Sequence, residues 1–197
     1  TRTPAFGPSA LVTPANGLTL ARLLVAPLIA VLTVTIGPTA WALWALWTVF
    51  TVSDGVDGFV ARRHGITRSG AFLDPLADKF LILGALSGLA ATGTIGVVPV
   101  ALIALREVGM SVFRVVEGRR GISIPARPLA KVKTLVQDLA VAAAFFPPIG
   151  AKDGGVITAL IWFAVALTLI TGAEYLFQAW STLRRVDPRE SVKQEAA

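Results

Sequence analysis

The sequence predicts an all-α, polytopic membrane protein with six transmembrane helices. Three observations carry that expectation. Of 197 residues, 54% are apolar and only 15% charged, against about 25% charged in an ordinary soluble domain. The apolar residues gather in blocks of nearly 20, long enough to cross a ~30 Å hydrocarbon layer as helices. The basic residues fall on one side of the zigzag those blocks define. Mean hydropathy is +0.71. The chain has no cysteine and one histidine, His64, which excludes disulfides, thiolate chemistry and multi-histidine metal sites. A net charge of +6 alone is compatible with anionic lipid, nucleic acid or an anionic substrate.

The six stretches run over 18–36, 39–60, 71–91, 95–116, 135–146 and 156–180. The fifth reaches spanning length only if its helix begins near 128–133, and Pro147-Pro148 should end it. Gly37-Pro38 and Gly93-Thr94 separate neighbouring stretches and imply tight turns between antiparallel helices. One set of connections carries Arg62, Arg63 and Arg68, then Arg119, Arg120, Arg127, Lys131 and Lys133, with Arg184, Arg185, Arg189 and Lys193 in the tail. The opposite set carries only Lys152, beside Asp153. By the positive-inside rule both termini and the 62–70 and 117–134 connections are cytoplasmic. Residues 1–197 are expected to form one transmembrane domain, with an interfacial segment at 1–15 and a frayed tail at 187–197. Expected partners are membrane lipids, not nucleic acid.

Four aspartates stand at the cytoplasmic ends of two consecutive helices. Asp54 and Asp57 are three apart, and Asp74 and Asp78 are four apart, so each pair shares a helical face. The residues between them reverse the chain, which lets the two faces meet. Carboxylates gathered at low dielectric repel one another unless a cation joins them. Hard oxygen donors without sulfur or clustered imidazole favour Mg²⁺, with Mn²⁺ as a substitute. Two ions sharing an aspartate would suit phosphoryl displacement. The competing explanation is helix capping, or pairing with Arg62 and Arg68. It suits one pair better than four residues at these spacings, and ionisable groups in membrane segments mark functional sites by default. Gly55 and Gly58 flank Asp57 within the helix, at a cost of ~1 kcal/mol each against alanine. They leave room for a ligand or for another helix.

The run Asp54-Gly55-Val56-Asp57-Gly58-Phe59-Val60-Ala61-Arg62, then Gly70, Asp74 and Asp78, resembles the signature of the CDP-alcohol phosphotransferase family. Its eight identities at fixed spacing make the match specific, and the six-span pattern extends it over nearly the whole chain. The resemblance implies a membrane-embedded homodimer that transfers a phosphatidyl or related group from a CDP-linked donor to an alcohol, releasing CMP. It implies two divalent ions held by Asp54, Asp57, Asp74 and Asp78, with Asp78 also the general base. It places Gly58, Ala61, Arg62 and Gly70, with Asp54 and Asp57, along the CDP pocket. Asn16, Thr19 and Arg22 are similar to the family's Asn-x-x-Thr-x-x-Arg opening, and Asn16 and Thr19 join the CDP contacts.

The acceptor is suggested by cations. Arg106 lies deep in the fourth stretch and Arg114 is eight residues on, roughly on the same face, while Lys131 and Lys133 stand before the fifth. Such a cluster beside a metal site suits an anionic acceptor. For Arg114 and Lys133 the competing explanation is snorkelling to lipid phosphates. Arg106-Glu107 with Arg114, Lys131-Val132-Lys133-Thr134, and the segment from Gly70 to Lys79 are similar to the bacterial phosphatidylglycerophosphate synthases of the family. Ala130 departs from them, where glycine is common before the lysine. That resemblance implies CDP-diacylglycerol as donor and sn-glycerol 3-phosphate as acceptor, in a bacterial plasma membrane with the active site facing the cytoplasm. Arg106, Arg114, Lys131 and Lys133 would hold the acceptor phosphate. An inositol-phosphate acceptor, phosphatidylglycerol as acceptor, and a non-catalytic metal-binding transporter or scaffold stay open. Trp41, Trp44 and Trp47 descend the second stretch. The first one or two are expected as interfacial anchors, the rest facing lipid or a partner copy. Glu174 is a carboxylate in the last stretch, and a cation of the fifth segment is its candidate partner.

Overall fold

Six long helices coincide with the six apolar stretches in a computed structural model, which describes the backbone of residues 14–64, 68–119 and 128–185. They are α1 (Pro14–Ile36), α2 (Trp41–His64), α3 (Arg68–Ala91), α4 (Val97–Arg119), α5 (Pro128–Phe145) and α7 (Gly154–Arg185), with a single turn, α6 (Pro147–Gly150), before the last. No strand occurs among the described residues. Side chains are described for residue 17, for 19–53, 76–116 and 129, and for 131–181.

Local chemistry sets the boundaries. Pro14 opens α1 and Pro128 opens α5, where the missing N–H would lack a partner anyway. After α3 the chain turns through Gly93 at φ 73°. Gly93 N–H donates to the Ala90 carbonyl and Thr94 N–H to that of Leu89, both at 3.0 Å. This is a Schellman cap, and its left-handed residue favours glycine. Gly37, at φ 88°, serves the turn between α1 and α2. The prolines at 147 and 148 end α5 as expected, because Phe146 is held extended at φ −74°, ψ 111° by the ring that follows it.

Two helices, in the windows Thr19–Ile36 and Gly154–Ser181, are long and apolar enough to cross a membrane, and Trp41–Ser53 is a shorter apolar helix. The remaining long helices carry charged residues inside their apolar runs. The outward surface is apolar all the same: Leu24 and Leu105 are each 74% exposed, and Phe177 is 70% exposed. The core lies between the helices, around Ile29, Trp47, Leu86, Ile103, Phe145 and Ile161.

The closest packing joins α1 to α3. A Cβ on Gly84 would stand 2.5 Å from the Ala26 carbonyl oxygen, and one on Gly88 2.9 Å from the Thr33 side chain. Gly84 and Gly88 are four apart, the small-xxx-small spacing that lets two backbones touch. The pair is legible in the sequence as two glycines four apart within an apolar stretch.

Trp47 does not follow the expectation of a lipid- or partner-facing residue. It is 1% exposed, and its indole N–H donates to the Asp138 carbonyl oxygen at 3.1 Å. Its ring meets Phe145 edge-on at 6.1 Å. A buried indole N–H requires an acceptor, and α5 supplies it. Trp41, at 59% exposure, is the outward-facing member of the three.

Candidate active site

Polar side chains from five helices of this apolar bundle line a cavity of about 180 Å³. From α1 comes Arg22, from α2 Thr51, from α3 Asp78 and Lys79, from α4 Glu107, and from α5 Lys133, Thr134, Gln137 and Asp138, with Trp47 and Phe50 among the apolar walls. Three cations and three carboxylates therefore share its lining.

Arg22 is 2% exposed, and its Nη1 donates to Asp78 Oδ1 at 3.4 Å, while the Asp78 side chain is 40% exposed. The close α1–α3 seam makes this contact: it fixes the helix that carries Arg22 against the helix that carries Asp78. A carboxylate beside a buried cation, open on its other side, can accept a proton from a molecule in the cavity. Thr19 lies one turn before Arg22 and is buried.

A second cluster forms the opposite wall. Glu107 Oε1 accepts from Arg106 Nη1 at 3.0 Å and from the Lys133 ammonium. The Lys79 ammonium donates to Ser111 Oγ, and that hydroxyl donates to the Glu107 backbone carbonyl at 2.7 Å. Arg106 continues to α7, donating through Nη2 to Thr171 Oγ1 at 3.0 Å. Gly172 makes the space, since a Cβ there would lie 3.4 Å from Arg106 Cγ and Nε. Two turns along α4 from Arg106, Arg114 sits 5.3 Å above the Tyr175 ring, and Tyr175 meets Phe113 edge-on at 6.0 Å. Arg106 and Arg114 thus share one face, as their spacing predicts, and that face lies on α7.

Of the four cations expected to hold an acceptor, Lys133 lines the cavity and Arg106 touches its wall through Glu107. Arg114 and Lys131 are exposed and do not line it. Lys131 and Lys133 are two apart on a helix, so they leave it on different sides. Lys133 is 4% exposed and paired, which removes snorkelling as its explanation. Glu107, Lys79, Ser111, Gln137 and Thr171 entered no expected site. Opposite charges placed singly in apolar helices were the available signal, because such groups must find partners.

Asp54 and Asp57 fall on helical backbone in α2, and Asp74 on helical backbone in α3, so the one-face spacing of each pair holds. Their side chains lie outside the described residues, as do those of Asn16, Gly58, Ala61, Arg62 and Gly70. Among the described residues no three His, Cys, Asp or Glu side chains stand close enough together to hold a metal ion. Asp78 presents a half-exposed hard oxygen donor at the cavity, the donor type that a divalent ion such as Mg²⁺ takes.

Residues 12–170 match the family described as CDP-alcohol phosphatidyltransferase. The chain belongs to that family. A Mycobacterium tuberculosis protein named "Probable phosphatidylglycerophosphate synthase" is 36% identical over 173 residues, covering 84% of this chain and 80% of the relative. A Rickettsia typhi protein named CDP-diacylglycerol–glycerol-3-phosphate 3-phosphatidyltransferase is 34% identical over 175 residues, covering 85% and 96%. A Bacillus subtilis protein of the same name is 34% identical over 135 residues, covering 67% and 70%. In this chain a half-exposed carboxylate, Asp78, and the cations Arg22, Lys79 and Lys133 line the same small volume.

Proposed function

We propose that this CDP-alcohol phosphatidyltransferase transfers the phosphatidyl group of CDP-diacylglycerol to sn-glycerol 3-phosphate, giving phosphatidylglycerol phosphate and CMP. The names of its relatives support the reaction. The observation that carries it is the buried Lys133 ammonium on the cavity into which Asp78 opens. A cavity lined by both an ammonium and an open carboxylate suits an acceptor with a phosphate at one end and a hydroxyl at the other.

In this proposal the primary hydroxyl oxygen of the acceptor attacks the β-phosphorus in line. Its proton passes to the Asp78 carboxylate as the new P–O bond forms. The bond to CMP breaks, and CMP leaves with the electron pair. Arg22 holds Asp78 in place. Asp54, Asp57, Asp74 and Asp78 would hold two divalent ions, Mg²⁺ or in its stead Mn²⁺, and such ions neutralise a pyrophosphate and a departing phosphate. Asn16, Thr19, Gly58, Ala61, Arg62 and Gly70, with Asp54 and Asp57, line the nucleotide. Lys133 meets the acceptor phosphate, Arg106 braces it, and Arg114 and Lys131 extend the basic field around it.

Residues 1–197 form a single catalytic domain, with 1–15 at the interface and 187–197 as a tail. All six long helices cross the plasma membrane of a bacterium, with the active site facing the cytoplasm, and the protein acts as a homodimer. The outward leucines and valines and the one-sided basic residues support this placement.

The test is an acceptor screen on purified protein in nanodiscs, following CMP and lipid product from CDP-diacylglycerol with Mg²⁺. Glycerol 3-phosphate, inositol phosphate, free inositol and phosphatidylglycerol are compared, with Asp78→Asn as the blank. Turnover confined to glycerol 3-phosphate and lost in the blank is expected. Preference for another acceptor would overturn the acceptor assignment, and no CMP release with any would overturn the reaction.

A further inference from the structure

Glu107 takes no part in the transfer as set out above, yet it is the most deeply buried carboxylate among the described residues, at 3% exposure. One of its oxygens, Oε1, is shared by Arg106 from its own helix and Lys133 from α5. A buried ion pair contributes little stability that apolar side chains of similar volume would not. The cluster therefore calls for a reason other than folding.

Its position supplies one. Helices α4 and α5 are not closely packed against each other, and the ion pair of Glu107 and Lys133 links them at the cavity lining. Both residues line the same volume as Asp78. A lysine ammonium rides on four methylenes and adopts many rotamers unless a partner holds it. It offers three donors, and Glu107 engages it with one carboxylate oxygen. Glu107 is itself anchored through Arg106 to Thr171, whose hydroxyl is oriented by donation to the Leu167 carbonyl at 2.8 Å. The chain of contacts runs from α7 through α4 to α5 and ends at a cation on the cavity wall.

We infer that Glu107 is a positioning residue for the acceptor: its carboxylate fixes the Lys133 ammonium so that a phosphomonoester on the acceptor meets a preset cation while its hydroxyl faces Asp78. This rests on the phosphorylated-acceptor assignment made above. Glu107 does not touch the reacting atoms, so its removal weakens acceptor binding and leaves donor binding alone.

The experiment compares the full chain with Glu107→Gln, Lys133→Gln and the double variant in nanodiscs, measuring KM for each substrate and kcat. Glu107→Gln keeps the shape and removes the charge. It is expected to raise the glycerol 3-phosphate KM about tenfold, with the CDP-diacylglycerol KM and kcat nearly unchanged, the pattern of lost uniform binding. Lys133→Gln should do the same, and the double variant should lose no more than the worse single one, because coupled residues are non-additive. Additive losses, a fall in kcat at constant KM, or a parallel rise in both KM values would overturn the inference. Should Glu107→Gln lose its thermal unfolding transition, Glu107→Asp is scored instead. It keeps the charge but withdraws it by one methylene. A raised acceptor KM alone supports the inference; both KM values unchanged, or both raised, overturns it. If the wild type prefers inositol phosphate, the glycerol 3-phosphate assignment fails while Glu107 is judged on that acceptor's KM. If it prefers free inositol or phosphatidylglycerol, which carry no phosphomonoester, the inference fails as well.

Discussion

The two sides of α3 are built in opposite ways. Toward α1 the contact is dry and close, with Gly84 and Gly88 letting the backbones of the two helices touch. Toward α4 and α5 the same helix faces a cavity, and its wall is held by charge: Lys79 of α3 on Ser111, and Lys133 of α5 on Glu107 of α4. The close side admits no adjustment, so it holds Asp78, the proposed general base, against Arg22. The open side sacrifices packing and gains a place where a polar molecule can sit. A bundle of this size performs chemistry by being rigid behind the reacting group and hollow in front of it.

The largest effect is expected at the carboxylate that both sides share. Asp78→Asn should lower transfer by about 10²–10⁴-fold, the usual contribution of a general base, with the thermal unfolding temperature in detergent little changed. Chelation by EDTA should likewise stop CMP release, with Mg²⁺ restoring it and Mn²⁺ substituting; CMP release that persists in EDTA would contradict the metal assignment. On the open side, Lys133→Met leaves Glu107 buried with one cation fewer, and breaking a buried pair costs about 3–5 kcal/mol. Calorimetry or a thermal-shift assay would read this as a lowered unfolding temperature, and an unchanged one would deny that the pair is buried. On the close side, Gly84→Val forces side-chain atoms against the Ala26 carbonyl, and overpacking of this kind costs about 1–3 kcal/mol. Some activity should be lost with it, through the displaced Arg22. The smallest effect is expected at Gly109, where an added Cβ meets nothing within 4 Å. Gly109→Ala should leave activity intact and stabilise α4 by up to ~1 kcal/mol from helix propensity alone. Equal destabilisation at Gly84 and Gly109 would mean the α1–α3 seam is not as close as described.

Much of this was legible from residue order because it depends on short-range chemistry. Helix limits followed from Pro147-Pro148, Gly37 and Gly93, whose backbone preferences act within a few residues. The pairing of Asp54 with Asp57, and of Asp74 with Asp78, needed only helical periodicity. The face shared by Arg106 and Arg114 was predicted by the same arithmetic, though not that α7 would receive it at Thr171 and Tyr175. What escaped depends on which helices become neighbours. Lys133 and Glu107 are 26 residues apart, and nothing local says that their side chains meet. The burial of Trp47 escaped for the same reason, since an indole N–H satisfied by α5 reads along the chain like one anchored at an interface. Lys131 and Lys133 were grouped as neighbours in sequence, whereas a helix sends them to different sides.

The central claim is that one cavity holds the acceptor phosphate at Lys133 and the acceptor hydroxyl at Asp78. The most direct measurement is an experimental structure of the protein in nanodiscs with glycerol 3-phosphate bound in the presence of Mg²⁺. The account predicts the phosphate within hydrogen-bonding distance of the Lys133 ammonium, the pair of Glu107 and Lys133 intact, and the free primary hydroxyl directed at Asp78. A phosphate bound elsewhere, with Lys133 still engaged only by Glu107, would contradict it.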